Sequence, residues 1–159
     1  MTEPAQLSRG KRFHQMVQAD YIDNTKGGIA RDEVTIDLSM LSYFPQKRGR
    51  PDILITENVD TSFVTIIEIK ATNWDRIKPK NIKRNLWSHQ HQIFKYIDKY
   101  VDIEKLDVCL GIIYPYPPAT LGFRELIESY LEGYGVPAYW YNEVASMPQN
   151  LGEFAPPYK

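Results

Sequence analysis

The segment that most constrains this chain runs from residue 49 to residue 70 and reads GRPDILITENVDTSFVTIIEIK. Two short runs of β-branched and aliphatic residues are separated by the polar sequence ENVD, a pattern typical of antiparallel strands joined by a turn. Because side chains alternate along a strand, Glu68 and Lys70 are predicted to project from one face at the end of the second run. Asp52, beside Pro51, begins the first run. The pattern therefore predicts that two carboxylates and an ammonium group lie on adjacent strands.

Charged side chains at the end of an apolar strand need compensation, because burying an unpaired charge costs on the order of several kcal/mol. A divalent cation between Asp52 and Glu68 would provide it, since carboxylate oxygens are ligands that Mg²⁺ prefers. A surface salt bridge is the alternative interpretation of so short a pattern. The context of two neighbouring strands favours the metal site.

These residues resemble a known signature. Pro51-Asp52 followed by Glu68-Ile69-Lys70 is similar to the motif of the PD-(D/E)XK phosphodiesterase superfamily, which includes restriction endonucleases, repair nucleases and nuclease toxins. A second feature, Q-x-x-x-Y on the helix after the ExK strand, matches Gln92-Ile93-Phe94-Lys95-Tyr96. The resemblance implies an α/β domain with a mixed sheet and a restriction-endonuclease-like α-β-β-β-α-β core, here with an extra C-terminal helix and strand.

The resemblance also implies roles for the matched residues. Asp52, Glu68 and the backbone carbonyl of Ile69 would bind Mg²⁺, with Mn²⁺ as a substitute. Lys70 would position the attacking water. Gln92 would bond a water, a phosphate or Lys70.

A third acidic residue is implied before the PD element. Glu33 is the best match, and we expect it to be a metal ligand and catalytic residue. Asp37 is its rival, because both lie on one face of a predicted strand from Glu33 to Leu38. The sequence leaves this choice open.

Hydrophobic periodicity predicts the other elements. Helices are expected from Pro4 to about Asn24, from Pro79 to about Tyr100 and from about Leu121 to Glu132. The apolar run from Asp107 to Tyr114 predicts an interior strand parallel to its neighbour, and Val136 to Tyr141 a last strand.

Positive charge is concentrated near the motifs. Residues 1–100 carry 16 of the 19 Lys and Arg residues but 12 of the 20 Asp and Glu residues, a balance of +4, which leaves −5 for the remainder. A basic surface is what phosphate binding requires. Polar and basic residues flanking the motifs are the predicted nucleic-acid contacts: Arg50, Lys78, Lys80, Lys83, Arg84, His89 and Tyr96.

Length and composition predict one globular domain over residues 1–159, with a surface tail over 147–159. No signal peptide or membrane span is evident, so we expect cytoplasmic action, with any export signal outside this chain. Cys109 is expected to be a small buried residue, and His14 a surface residue rather than a proton donor.

The leading hypothesis is a Mg²⁺-dependent nuclease, a DNA endonuclease with toxin-like or restriction-like use. If it is a toxin, a neutralising immunity protein is an expected partner; a membrane is not. One alternative is a tRNA-cleaving toxin on the same fold. The other is a non-catalytic nucleic-acid-binding or protein-interaction module that retains the nuclease core.

Overall fold

The computed structural model describes residues 4–25, 28–32, 34, 36–37, 48–57 and 62–143. In this part of the chain, three α-helices accompany a five-stranded mixed sheet, so the protein is of mixed α/β class. The helices and strands are, in chain order, α1 (Ala5–Asn24), β1 (Gly28–Asp32), β2 (Ile36–Asp37), β3 (Arg48–Gly49), β4 (Ile53–Glu57), β5 (Phe63–Ile69), α2 (Ile82–Ile97), β6 (Asp107–Tyr114), α3 (Phe123–Glu132) and β7 (Ala138–Trp140).

The order of strands in the main sheet is β1-β4-β5-β6-β7. The first three pair antiparallel, whereas β6 is parallel to β5 and β7 is parallel to β6. Parallel neighbours require crossover connections, which α2 and α3 supply. Strands β2 and β3 form a separate antiparallel ladder.

Apolar side chains cover both faces of the sheet, as expected for a sheet packed between helices. On one face α1 contributes Phe13 and Val17, which pack against the sheet residues Ile53, Ile67 and Ile113. The other face carries the larger cluster, where α2 and α3 pack on β4, β5 and β6; its fully buried members include Ile66, Leu86, Ile93, Ile112, Tyr114 and Ile127. Two layers of helix therefore hold the ends of β4 and β5 in place.

Most predicted elements are confirmed. Helix α1 ends at Asn24 as predicted, and β6 has the predicted bounds and the predicted parallel pairing with β5. The second predicted helix consists of a 3₁₀ turn (Pro79–Asn81), α2 and a π-helical segment (Asp98–Ile103). The last helix and strand are shorter than predicted, because α3 begins at Phe123 and β7 spans only Ala138–Trp140.

The first strand of the main sheet differs from the sequence prediction. It is Gly28–Asp32, which pairs with β4, whereas the sequence predicted a strand from Glu33 to Leu38. Within that segment the structure describes Ile36–Asp37, which pairs with Arg48–Gly49 outside the main sheet. Residues 33–38 do alternate between polar and apolar, but alternation alone does not determine which segment pairs with β4.

Cys109 is exposed, which contradicts the predicted burial. It shares a face of β6 with Ile113, but α1 packs only over the end of the sheet where Ile113 lies. The part of β6 where Cys109 lies is therefore not covered by α1. Among the described helices none is long and apolar enough to cross a bilayer. The predicted tail at 147–159 lies outside the described residues.

Candidate active site

Asp52 and Glu68 lie side by side at the ends of β4 and β5. In the antiparallel register Ile53 is opposite Ile67, so the next pair along the ladder is Asp52 and Glu68. Their carboxyl groups lie close enough for each to shift the pKa of the other. The sequence prediction that these two acids meet therefore agrees with the geometry.

Three further groups fix Asp52. The backbone N–H of Ile69 donates to its Oδ2 at 2.7 Å, and Nδ1 of His14 lies 3.4 Å from its Oδ1. The side chain of Gln18 donates from Nε2 to its backbone carbonyl at 3.0 Å. Burial alone would raise the pKa of Asp52, but the hydrogen bonds from His14 and the Ile69 N–H outweigh burial and hold it below its usual value. Asp52 is thus an ionised carboxylate in a fixed orientation.

Glu68 has the opposite electrostatic character. Glu68 is only 8 % exposed. Burial, and next the negative charge of Asp52, raise its pKa to about 8, against smaller opposing effects from the charges of Lys70 and Lys95. At neutral pH the pair therefore holds one proton, carried by Glu68.

Lys70 follows Glu68 by two residues at the end of β5, and its backbone N–H donates to the carbonyl of Ile113 at 2.9 Å. Its side chain Nζ donates a hydrogen bond to Oε1 of Gln92 on α2. The first residue of the Q-x-x-x-Y sequence thus bonds the lysine of the ExK sequence. Of the three partners predicted for Gln92, the described contact is with Lys70.

Tyr96 lies one turn further along α2 and is 1 % exposed. Its hydroxyl accepts a hydrogen bond from the backbone N–H of Arg50. Burial, and next the charges of Glu68 and Asp52, raise its pKa. Tyr96 therefore links α2 to the chain just before Pro51-Asp52 as a neutral phenol, and its predicted contact with nucleic acid stays a prediction.

His89 is buried on the same helix. Its Nδ1 lies 2.8 Å from the hydroxyl of Tyr114, and its ring packs against Trp74 at a centroid distance of 5.7 Å. Burial, and next the charge of Lys70, lower its pKa to about 3, so the imidazole is neutral. A neutral buried ring does not contribute to a positively charged surface, and its role in binding nucleic acid stays a prediction.

The remaining predicted site residues divide into two groups. Glu33 lies outside the described residues, and the side chain of Asp37 is likewise outside them, so the third acid stays open. The basic residues are all described and exposed: Arg50, Lys78, Lys80, Lys83 and Arg84. Arg50 lies beside His14, Gln18 and Asp32 in a depression next to Asp52.

His14 and Gln18 are the contacts that sequence reasoning missed. They stand four residues apart on α1, a spacing that places both on one face of the helix. This spacing was the available signal, but nothing in α1 itself shows that the face docks against Asp52. The expectation that His14 is an ordinary surface residue is wrong, since its side chain is 33 % exposed and lies against the partly buried carboxylate of Asp52.

The donor set fits a hard divalent cation. Mg²⁺ is commonly held by one or two carboxylates, with waters and substrate phosphates completing its coordination. Asp52 and Glu68 provide two adjacent carboxyl groups whose mutual repulsion is relieved by a proton, and a cation can take the place of that proton. No group of three or more His, Cys, Asp or Glu side chains suited to a metal occurs in the described ranges.

No protein-family model matches this chain, and no curated protein matches it significantly.

Proposed function

We propose that this protein is a Mg²⁺-dependent nuclease with a restriction-endonuclease-like fold, acting as an endonuclease on DNA. The observation that carries the proposal is the contact between Asp52 and Glu68, with Lys70 held by Gln92 beside them. Two carboxylates for a cation and a fixed ammonium group are the parts that phosphodiester hydrolysis requires.

The order of elements supports the same proposal. Helix α1 is followed in the sheet by β1, β4 and β5, then by α2 and the parallel strand β6. This α-β-β-β-α-β order is the one implied by the superfamily that the motifs resemble. Helix α3 and β7 would then be the additional C-terminal elements.

Each residue has a distinct task in this proposal. Asp52 and Glu68 would hold Mg²⁺, which when bound polarises a phosphoryl oxygen and makes a bound water more acidic. Lys70 donates hydrogen bonds to the attacking water or to the developing charge on the phosphate. Gln92 keeps the ammonium group of Lys70 in place, and His14 and Gln18 keep Asp52 in place.

The experiment pairs two substrates. Purified protein is incubated with supercoiled plasmid and with total tRNA, in Mg²⁺ and in EDTA, alongside a Glu68→Gln preparation that detects contaminating nuclease. We expect the wild-type protein to nick plasmid in Mg²⁺ only. Cleavage of tRNA while the plasmid stays intact would indicate that the substrate is RNA and not DNA. No cleavage of either substrate in Mg²⁺ or Mn²⁺ would contradict a nuclease.

A further inference from the structure

Resting on the proposed nuclease function, we propose that a basic groove beside the candidate site binds the sugar-phosphate backbone of a nucleic-acid duplex. The groove consists of two open depressions that share Arg76, Ile77 and Asn85. One continues over Ala71, Thr72 and Asn73, and the other over Lys78, Lys80, Asn81 and Arg84. We call this surface the basic groove.

The basic groove lies near the candidate site both along the chain and along α2. Ala71 directly follows Lys70 in the chain. On α2, Asn85 precedes Gln92 by seven residues, which places both on one face about 10 Å apart along the helix axis. Since each strand of a duplex presents a phosphate every 3.4 Å or so of axis, the groove would reach phosphates starting about three nucleotides from the scissile one.

Its charge matches a polyanion. Four cations line it, and no acidic residue occurs among its described lining residues. Arg76, Lys78, Lys80 and Arg84 are exposed, and none forms an ion pair with an acidic residue in the described ranges. Binding to a phosphate would therefore break no salt bridge between these cations and the acids that the structure describes.

Hydrogen bonds fix the wall that carries Arg76. The backbone N–H of Arg76 donates to the carbonyl of Asn73 at 3.1 Å, and Oδ1 of Asn73 accepts from the N–H of Asp75 at 3.2 Å. The carboxylate of Asp75 in turn accepts from the backbone N–H groups of Ala119 and Thr120 at 3.0 and 2.9 Å. The turn is therefore anchored to the loop after β6 before any ligand binds.

The types of residue that line the groove favour binding to the backbone of a duplex over binding to a single strand. Arg, Lys, Asn and Thr are common phosphate contacts in nucleic-acid complexes. Binding of single strands relies on aromatic side chains that stack on bases, and no aromatic residue is among those described as lining the groove. The exposed Trp87 is roughly on the opposite side of α2 from Asn85 and stacks on His91 at 4.3 Å.

Only some of the basic residues that were predicted as nucleic-acid contacts line the groove. Lys83 and Arg84 are consecutive and both exposed, but Arg84 lines the groove and Lys83 does not. On a helix, Lys83 is roughly on the opposite side from Asn85. Arg76, which sequence reasoning did not select, belongs to the groove.

The test measures binding without cleavage. The affinities for a short labelled DNA duplex and for one of its strands are measured by fluorescence anisotropy in EDTA. The background protein carries both Asp52→Asn and Glu68→Gln, and the further substitutions are made in it. We expect tighter binding of the duplex. Arg76→Gln and Arg84→Gln should each weaken duplex binding and reduce the slope of log K against log salt by about one. Lys105→Gln removes the same charge at an exposed residue away from the groove, and should leave both the affinity and the salt slope unchanged.

Two results would contradict the proposed role of the groove: equal losses of duplex affinity for Lys105→Gln and Arg84→Gln, or tighter binding of the single strand than of the duplex. Melting temperatures equal to that of the background protein would show that the variants are folded. Failure of the nuclease proposal is a separate result. If the binding results are as expected but the wild-type protein never cleaves, the groove is supported and the nuclease function is contradicted. If cleavage depends on Glu68 but both arginine variants bind the duplex like the background protein, the nuclease function is supported and the groove is contradicted.

Discussion

The carboxyl groups of Glu68 and Asp52 lie beside each other at the ends of β5 and β4, where burial, and next the charge of Asp52, raise the pKa of Glu68 to about 8. The two acids differ in environment. Asp52 has the Ile69 N–H and His14 as partners, whereas Glu68 is deeper and is flanked by the charges of Lys70 and Lys95. This asymmetry makes Glu68 the group whose protonation responds to pH near neutrality.

Glu68 should make the metal-free protein less stable as the pH rises from about 5 to about 8. Its pKa is 4.5 ordinarily and about 8 in the folded state, so in this window the folded protein keeps a proton that the unfolded chain has lost. Stability falls with pH wherever the folded state binds more protons. The lowered pKa of Asp52 leaves that group ionised throughout this window. Urea denaturation in EDTA across this range measures the decline.

The variant Glu68→Gln should remove that part of the pH dependence, because the amide does not titrate. Addition of Mg²⁺ at pH 8 should raise the stability of the wild-type protein by mass action, and have little effect on Glu68→Gln. Parallel pH curves for the two proteins in EDTA would show that Glu68 titrates normally.

Lys70→Ala should lower the cleavage rate at least roughly a hundredfold, the loss of about 3 kcal/mol that follows removal of one electrostatic donor. Gln92→Ala should have a smaller effect, because it releases the ammonium group without removing it. The two residues are hydrogen-bonded, so their effects should not add. Rates for the single and double variants form a double-mutant cycle. Independent, additive effects would mean that Gln92 does not act through Lys70.

Gln18→Met should lower the free energy of unfolding by about 1–3 kcal/mol, the cost of leaving a buried acceptor without its donor. Gln18 is 6 % exposed and donates to the carbonyl of Asp52. Gln15, on the same helix, is exposed and provides the matched control, so Gln15→Met should change stability by no more than about 0.5 kcal/mol. If Gln18→Met and Gln15→Met change the free energy of unfolding equally in chemical denaturation, the hydrogen bond from Gln18 to Asp52 does not stabilise the fold.

Local patterns were sufficient where the chemistry depends on one strand or one helix. Alternation along β5 put Glu68 and Lys70 on one face, and helical spacing put Gln92 and Tyr96 on one side of α2. The polar sequence ENVD between the two apolar runs predicted a turn, and with it the pairing of Asp52 with Glu68. These are short-range consequences of backbone geometry.

Features that depend on packing between distant segments were not accessible from sequence. His14 and Gln18 reach Asp52 only because α1 docks over that end of the sheet, and His89 is buried only because Tyr114, 25 residues away, meets it. The first strand is Gly28–Asp32 because it pairs with β4, although the later segment has the clearer alternation. Tertiary contacts override local propensity in such cases.

The most direct test of the account is the Mg²⁺-dependent cleavage rate of four proteins: wild type, Asp52→Asn, Glu68→Gln and the control Glu132→Gln, an exposed acid at the end of α3. Loss of either proposed metal ligand should reduce the rate by orders of magnitude, with the control within about twofold of wild type. Cleavage that survives in both Asp52→Asn and Glu68→Gln would contradict a site built on these two acids.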